Sequence, residues 1–156
     1  MKVHLCVVGR LRAGPEKTLI DDYLTRFQRS GRALGLGPVN LVEVEDKKNL
    51  GMKAEADLLR RAIPTGSSLC VLDERGKQLA SPDFAANIAR FRDDGAQNLT
   101  FVIGGADGLD PSLRAEANLS LSFGKMVWPH MIARLMLSEQ LYRAATILSG
   151  TPYHRS

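Results

Sequence analysis

Short apolar runs alternate along the chain with longer stretches in which apolar residues return every three or four positions. Residues 3–8, 39–44, 69–72, 99–103 and, more weakly, 119–123 are rich in Val, Ile and Leu and are predicted strands. Their near-continuous apolar character predicts parallel strands covered on both faces. Between them Leu19, Ile20, Tyr23, Leu24 and Phe27 recur at helical spacing, as do Phe84, Ile88 and Phe91, and residues 130–149 form the longest predicted helix. Ser81-Pro82 and Asp110-Pro111 each place an N-cap residue before a proline and mark helix starts. Gly95 and Gly150 suit helix ends. The alternation predicts one α/β domain over residues 1–156, with a mainly parallel sheet flanked by helices. Ligands of such sheets sit at the carboxyl ends of the strands.

Composition supports a soluble fold with a real core: 156 residues, 44% apolar and 24% charged. Cys6 and Cys70 lie in separate apolar runs with no CxxC, and His4, His130 and His154 lack metal-ligand spacing. Buried, reduced thiols of a cytosolic protein are expected, and no metal. The first apolar stretch is shorter than a signal peptide requires, and none approaches membrane-spanning length.

The net charge of +4 is unevenly spread. Residues 1–35 hold seven Lys or Arg against three acids, residues 125–156 hold four against one, and the middle is acidic. If the two ends meet in space, they form a positive surface suited to a phosphate backbone. Charge alone fits a solvated helix face equally well.

Several familiar sites are excluded. Gly9-Arg10-Leu11-Arg12-Ala13-Gly14 has the glycines of a nucleotide P-loop, but Pro15-Glu16 stands where Lys and Ser/Thr are needed. Gly104-Gly105-Ala106-Asp107-Gly108 follows a strand, yet its spacing is not GxGxxG, and no Gly-x-Ser-x-Gly elbow occurs. That glycine loop, Leu72-Asp73-Glu74-Arg75-Gly76-Lys77, and Phe123-Gly124-Lys125-Met126-Val127-Trp128-Pro129-His130 are three segments at strand ends. Together they are able to line a pocket for adenine and a thioether. Taken singly, each has a plainer explanation: a tight turn, a solvated acidic turn, and core packing by Met126 and Trp128. The tail is denser in chemistry, with Tyr153, His154 and Arg155 consecutive after Glu139, Gln140 and Arg143 on the long helix.

Phe101-Val102-Ile103-Gly104-Gly105-Ala106-Asp107-Gly108, Leu72-Asp73 with Gly76-Lys77, Ser120-Leu121-Ser122, Pro129-His130 with Arg134, and Glu139-Gln140-Leu141-Tyr142-Arg143-Ala144 through Pro152-Tyr153-His154-Arg155 resemble the RlmH family of small SPOUT-class methyltransferases over the whole length. The resemblance implies a homodimer, a trefoil knot near the C-terminus, and S-adenosylmethionine as cofactor. It also implies methylation of N3 of a pseudouridine in a hairpin loop of 23S rRNA on the assembled ribosome. By matching motif the cofactor contacts fall on Leu72, Gly104, Phe123, Gly124, Lys125, Met126, Val127 and Trp128; Val127 and Trp128 depart from the residues many relatives carry.

An imide nitrogen exposes its lone pair only when its proton leaves, so the reaction needs a base or a group that stabilises the anion. His154 is the leading general-base candidate. Arg143 and Arg155 are suited to the developing negative charge, and Tyr153 to stacking on the extruded base. His130 and Arg134 stand one turn apart and are expected to face one substrate cavity. Glu139 pairs with Arg143 at i and i+4, equally well for structure alone. Arg10, Arg12, Arg26, Arg29 and Arg32 are expected phosphate contacts. Ile132, Leu135, Met136 and Leu141 exceed what one helix face needs and predict a partner copy. The competing reading is a non-catalytic RNA-binding or ribosome-associated protein, which would have no methionine-cofactor pocket.

Overall fold

Side-chain alternation along the strands decides where the helices lie. In the computed structural model, which describes residues 1–155, strand β1 (Lys2–Val8) sends Val3, Leu5 and Val7 to one face of the sheet and Cys6 and Val8 to the other. Strands β2 (Val39–Val44), β3 (Ser68–Gln78), β4 (Asn98–Ile103) and β5 (Leu119–Ser122) complete a sheet of order β2-β1-β4-β3-β5, with every neighbouring pair parallel. Helices α1 (Pro15–Gly31), α3 (Ser81–Asp93) and α5 (His130–Ser149) cover the first face through Ile20, Phe27, Ile88, Leu137 and Leu141. Helices α2 (Met52–Ala62) and α4 (Pro111–Ala115) cover the second through Ala56, Leu59 and Leu113. Both faces are therefore dry, as the continuous apolar runs require. Cys6 and Cys70 are buried, and burial pushes their thiols up to about 11 and about 12. No helix among the described residues is long and apolar enough to cross a membrane.

Three local readings change. Ser81 is not an N-cap: Ala80 holds that position, and the Ser81 hydroxyl donates to Gln140 Oε1 at 2.7 Å, tying α3 to α5. Asp110 does cap its helix, accepting from the Ser112 amide at 2.9 Å. Gly95 and Gly150 terminate their helices with φ of 93° and 73°. The apolar pattern does not mark helix α2, whose buried residues are only Ala56 and Leu59. Strand β3 runs past Leu72: its chain bulges and returns so that Lys77 and Gln78 pair with Leu121 and Ser122. At Gly76 a Cβ would lie 2.6 Å from the Ser120 carbonyl carbon and 2.8 Å from that of Leu121, so only glycine lets the two backbones approach this closely.

Helices α1 and α5 pack along one another, which brings the two basic ends of the chain together. The Arg26 guanidinium lies 5.8 Å from the centre of the Tyr142 ring, and Arg134 Nη2 donates to the Gly9 carbonyl at 3.0 Å.

Candidate active site

The carboxyl ends of β3, β4 and β5 open onto a cleft with a cavity volume of ≈ 870 Å³, within the size range of small-molecule sites. Leu72 and Asp73 stand where β3 begins to bulge on one side, Gly104 and Gly108 form the turn after β4, and Phe123, Gly124, Met126, Val127 and Trp128 follow β5 on the other. Of the cofactor contacts read from sequence, Lys125 alone stands off the cleft wall, with its side chain in solvent. Met126, Val127 and Trp128 do not pack into the core: they are 74%, 82% and 42% exposed. Three consecutive large apolar residues facing water at a cleft mouth are a surface awaiting a partner or a ligand.

The glycine turn has a cause that sequence spacing did not reveal. Gly104 is not in the left-handed region; Gly108 is, with φ 80°. A Cβ on Gly104 would meet the Gly108 carbonyl oxygen at 2.7 Å and Leu109 Cδ2 at 3.1 Å. The turn therefore folds back on its own backbone, held by the Gly108 amide donating to the Gly105 carbonyl at 3.0 Å, and this presents bare peptide to the cleft.

Two residues that the sequence paired separate in space. His130 lines the cleft, with Nδ1 buried and unpartnered and its Cε1 3.4 Å from where a Cβ on Gly9 would stand. Arg134 turns inward instead and is 1% exposed. Its guanidinium donates to Glu43 at 2.8 Å and to the Gly9 carbonyl at 3.0 Å. The expectation that Arg134 contacts substrate is corrected: it fastens α5 to the β1 turn and to the β2 edge strand. Arg114, absent from the sequence reading, also reaches the cleft, where its buried Nε pairs with Asp73 Oδ2 at 3.5 Å without forming a hydrogen bond. A bound cofactor would meet the unpartnered His130 Nδ1, a donor or an acceptor according to the tautomer, and would lie beside the Arg114–Asp73 pair.

The tail forms a second constellation. Glu139 Oε1 accepts from Arg143 Nε at 3.0 Å, from Arg143 Nη2 at 2.6 Å and from the Tyr153 hydroxyl at 2.9 Å, while Oε2 accepts from Gln140. Arg143 Nη1 meets His154 Nδ1 at 3.2 Å. The Tyr142 and Tyr153 rings lie 4.6 Å apart, and the Arg143 guanidinium is 4.8 Å from the Tyr153 ring centre. Burial first, then the hydrogen bonds to Glu139 and Tyr23, push the Tyr153 phenol well above its ordinary range, so it stays a neutral donor. The hydrogen bond to Glu139 chiefly raises the Arg143 guanidinium. Arg155 is exposed beside this cluster. Sequence reading left Glu139 between structure and function, and its i, i+4 spacing to Arg143 was the one visible sign of its place at the centre.

Along α5, Arg143 lies about 20 Å from His130 at 1.5 Å per residue. Within one chain, then, the tail reagents and the cleft stand apart. A hollow of ≈ 550 Å³ lined by Leu19, Tyr23, Leu135, Met136 and Glu139 lies between them and shares Phe123 and Gly124 with the cleft.

A family profile described as "Predicted SPOUT methyltransferase" matches residues 1–154. Ribosomal RNA large subunit methyltransferase H of Ruegeria sp. (strain TM1040) is 74% identical over 155 residues, 99% of each chain. The chain belongs to the RlmH family of SPOUT methyltransferases. The protein of the same name from Roseobacter denitrificans is 68% identical over the full length of both chains. The fold is shared with a probable methylase family protein from Haemophilus influenzae Rd KW20, at 12% identity and a TM-score of 0.51, covering 99% of this chain and 70% of that one. The five-stranded parallel sheet is thus a SPOUT methyltransferase sheet, and its cleft lies at the strand ends where the RlmH motifs converge.

The N-terminal arginines are less uniform than their sequence suggests. Arg10, Arg12, Arg26, Arg29 and Arg32 are all exposed, but Arg26 is paired with Asp22 at 3.1 Å on its own helix. Leu141 is fully buried in its own chain, so it does not belong to the surplus apolar surface of α5. Ile132, Leu135 and Met136 are partly buried and keep some apolar surface in solvent.

Proposed function

We propose that the protein is an S-adenosylmethionine-dependent methyltransferase that acts as a homodimer on N3 of a pseudouridine in 23S rRNA, on assembled ribosomes in the cytoplasm. The observation that carries this reading is the pairing of an apolar, cofactor-sized cleft with a tail cluster of acid, base and guanidinium groups at the far end of the same helix. Identity above 60% over the full length to relatives named for rRNA methylation supports it.

Leu72, Gly104, Phe123, Gly124, Met126, Val127 and Trp128 would hold the cofactor, by backbone contact and apolar cover, with Lys125 at the rim. When bound, S-adenosylmethionine supplies an electrophilic methyl carbon whose sulfur leaves with the C–S bonding pair. His130 closes the cleft at the foot of α5. His154, Tyr153 and Arg155 act on the extruded base, with Tyr153 as the stacking surface and Arg155 beside the developing charge, while Arg143 holds His154 in place. Holding the reacting atoms in line supplies much of the rate.

The separation along α5 supports a composite site, in which the tail of one protomer faces the cleft of its partner. Ile132, Leu135 and Met136, with Leu19 44% exposed and the apolar residues 126–128 at the cleft mouth, offer the surface for that contact. Calorimetric titration with S-adenosylmethionine and S-adenosylhomocysteine tests the reading directly. Saturable binding is expected, and its absence would leave a non-catalytic RNA-binding protein. Light scattering at micromolar concentration should report a dimer.

Arg10, Arg12, Arg26, Arg29 and Arg32 are proposed to hold ribosomal phosphates without reading sequence. Replacing Arg26, Arg29 and Arg32 together by glutamine should weaken ribosome binding and flatten its log-log salt dependence by about one unit for each phosphate no longer neutralised. Because Arg26 already has Asp22, the expected change is about two units rather than three. An unchanged slope across a salt series would mean that these arginines only solubilise α1.

A further inference from the structure

The contact between Arg143 and His154 fixes more than the position of the imidazole. A guanidinium has five N–H donors and no acceptor. The nitrogen that meets Arg143 Nη1 at 3.2 Å, His154 Nδ1, must therefore be the acceptor. An imidazolium carries N–H on both nitrogens and cannot make this contact, and neither can the Nδ1–H tautomer. Which ring nitrogen bears the proton is set by the bond the other makes. Arg143 is itself held by two hydrogen bonds to Glu139, at 3.0 and 2.6 Å, and its ion pair is partly buried. Glu139 is fixed in turn by Gln140 and Tyr153. The other groups around the ring are Tyr153 and Arg155 on the tail, with Tyr23 and Arg26 of α1 reached through Tyr142; no carboxylate is bonded to His154 among the described residues.

Resting on the functional reading above, we infer that His154 works as a neutral hydrogen-bond donor through Nε2–H, aimed at a carbonyl oxygen flanking N3, and is not the base that removes the N3 proton. Arg143 is then a positioning residue, acting through the ring. The proton on N3 passes to solvent hydroxide, giving water and an imide anion whose charge spreads over N3 and its two flanking carbonyl oxygens. The Nε2–H group stabilises that anion, and the N3 lone pair is free to attack. The role is that of an oxyanion-type donor, fixed before the reaction begins, whose removal ordinarily costs about 10²- to 10³-fold.

Glutamine separates donor from base, because its amide offers an N–H near the place of Nε2 but cannot accept a proton at neutral pH. Methyl transfer from labelled S-adenosylmethionine to unmodified ribosomes should fall by about 10²- to 10³-fold in His154→Ala. In His154→Gln it should stay within about tenfold of the parent. Unchanged S-adenosylhomocysteine titrations would show that both variants fold. Equal losses in the two variants would overturn the inference. A long-range proton–nitrogen spectrum of the full chain provides a second readout that needs no activity. It should show the Nε2–H tautomer at His154, assigned by its disappearance in His154→Gln, and loss of the fixed tautomer in Arg143→Ala. An Nδ1–H ring in the parent, or a fixed tautomer that survives Arg143→Ala, would overturn it as well. A parent chain that transfers no methyl group at all would instead refute the functional reading, and the spectrum would still decide the tautomer.

Discussion

Gly104→Val is expected to abolish measurable S-adenosylhomocysteine binding and to cost stability as well. The side chain would enter the Gly108 carbonyl at 2.7 Å and crowd Leu109, both of them in the turn that floors the cleft. Because the obstacle is backbone, it cannot swing aside, and relief requires opening the bridge between Gly105 and Gly108. The stability loss should reach the upper end of overpacking costs, about 3 kcal/mol, read as a lower urea midpoint with unchanged slope. The structure ties the two losses together, since one clash deforms both the fold of the turn and the wall it presents. A variant that titrates like the parent would place the cofactor elsewhere.

Removing residues 152–156 should lower methyl transfer to ribosomes by roughly 10²- to 10⁴-fold, the usual contribution of positioned acid–base and charge-stabilising groups. Binding of S-adenosylhomocysteine should hardly change, because among the described residues none of the tail lines the cleft of its own chain. The deletion also releases Glu139 from Tyr153 and Arg143 from His154, leaving the Glu139–Arg143 pair to reorganise in solvent. Truncated protein that methylates at the parent rate would make the tail a structural appendage. If the composite arrangement holds, mixing truncated chains with chains carrying Gly104→Val should restore part of the activity. Each mixed dimer would then bring one intact cleft to one intact tail.

Much of this protein was determined by short-range pattern. The five strands lie where the apolar runs are, the dry faces follow from their lack of alternation, and the Asp110 cap and the glycine ends at 95 and 150 follow from single-residue backbone chemistry. The motifs at Leu72, Gly104 and 123–128 likewise mark the cleft, because segments at strand ends of a parallel sheet converge. Tertiary structure alone decided the rest. The placement of β3 between β4 and β5 and the close approach at Gly76 depend on pairing across tens of residues. Arg134 reads as a surface cation in a helical repeat, and only a glutamate 91 positions away makes its burial possible. Met126 and Trp128 read as core by hydrophobicity, yet the fold leaves both exposed at the cleft mouth. The distance between cleft and tail is likewise invisible in motifs that sit close together in sequence, because a straight helix converts thirteen positions into about 20 Å of separation. The tautomer of His154 follows from which atom faces which donor, and that is a property of the folded cluster rather than of the residues that compose it.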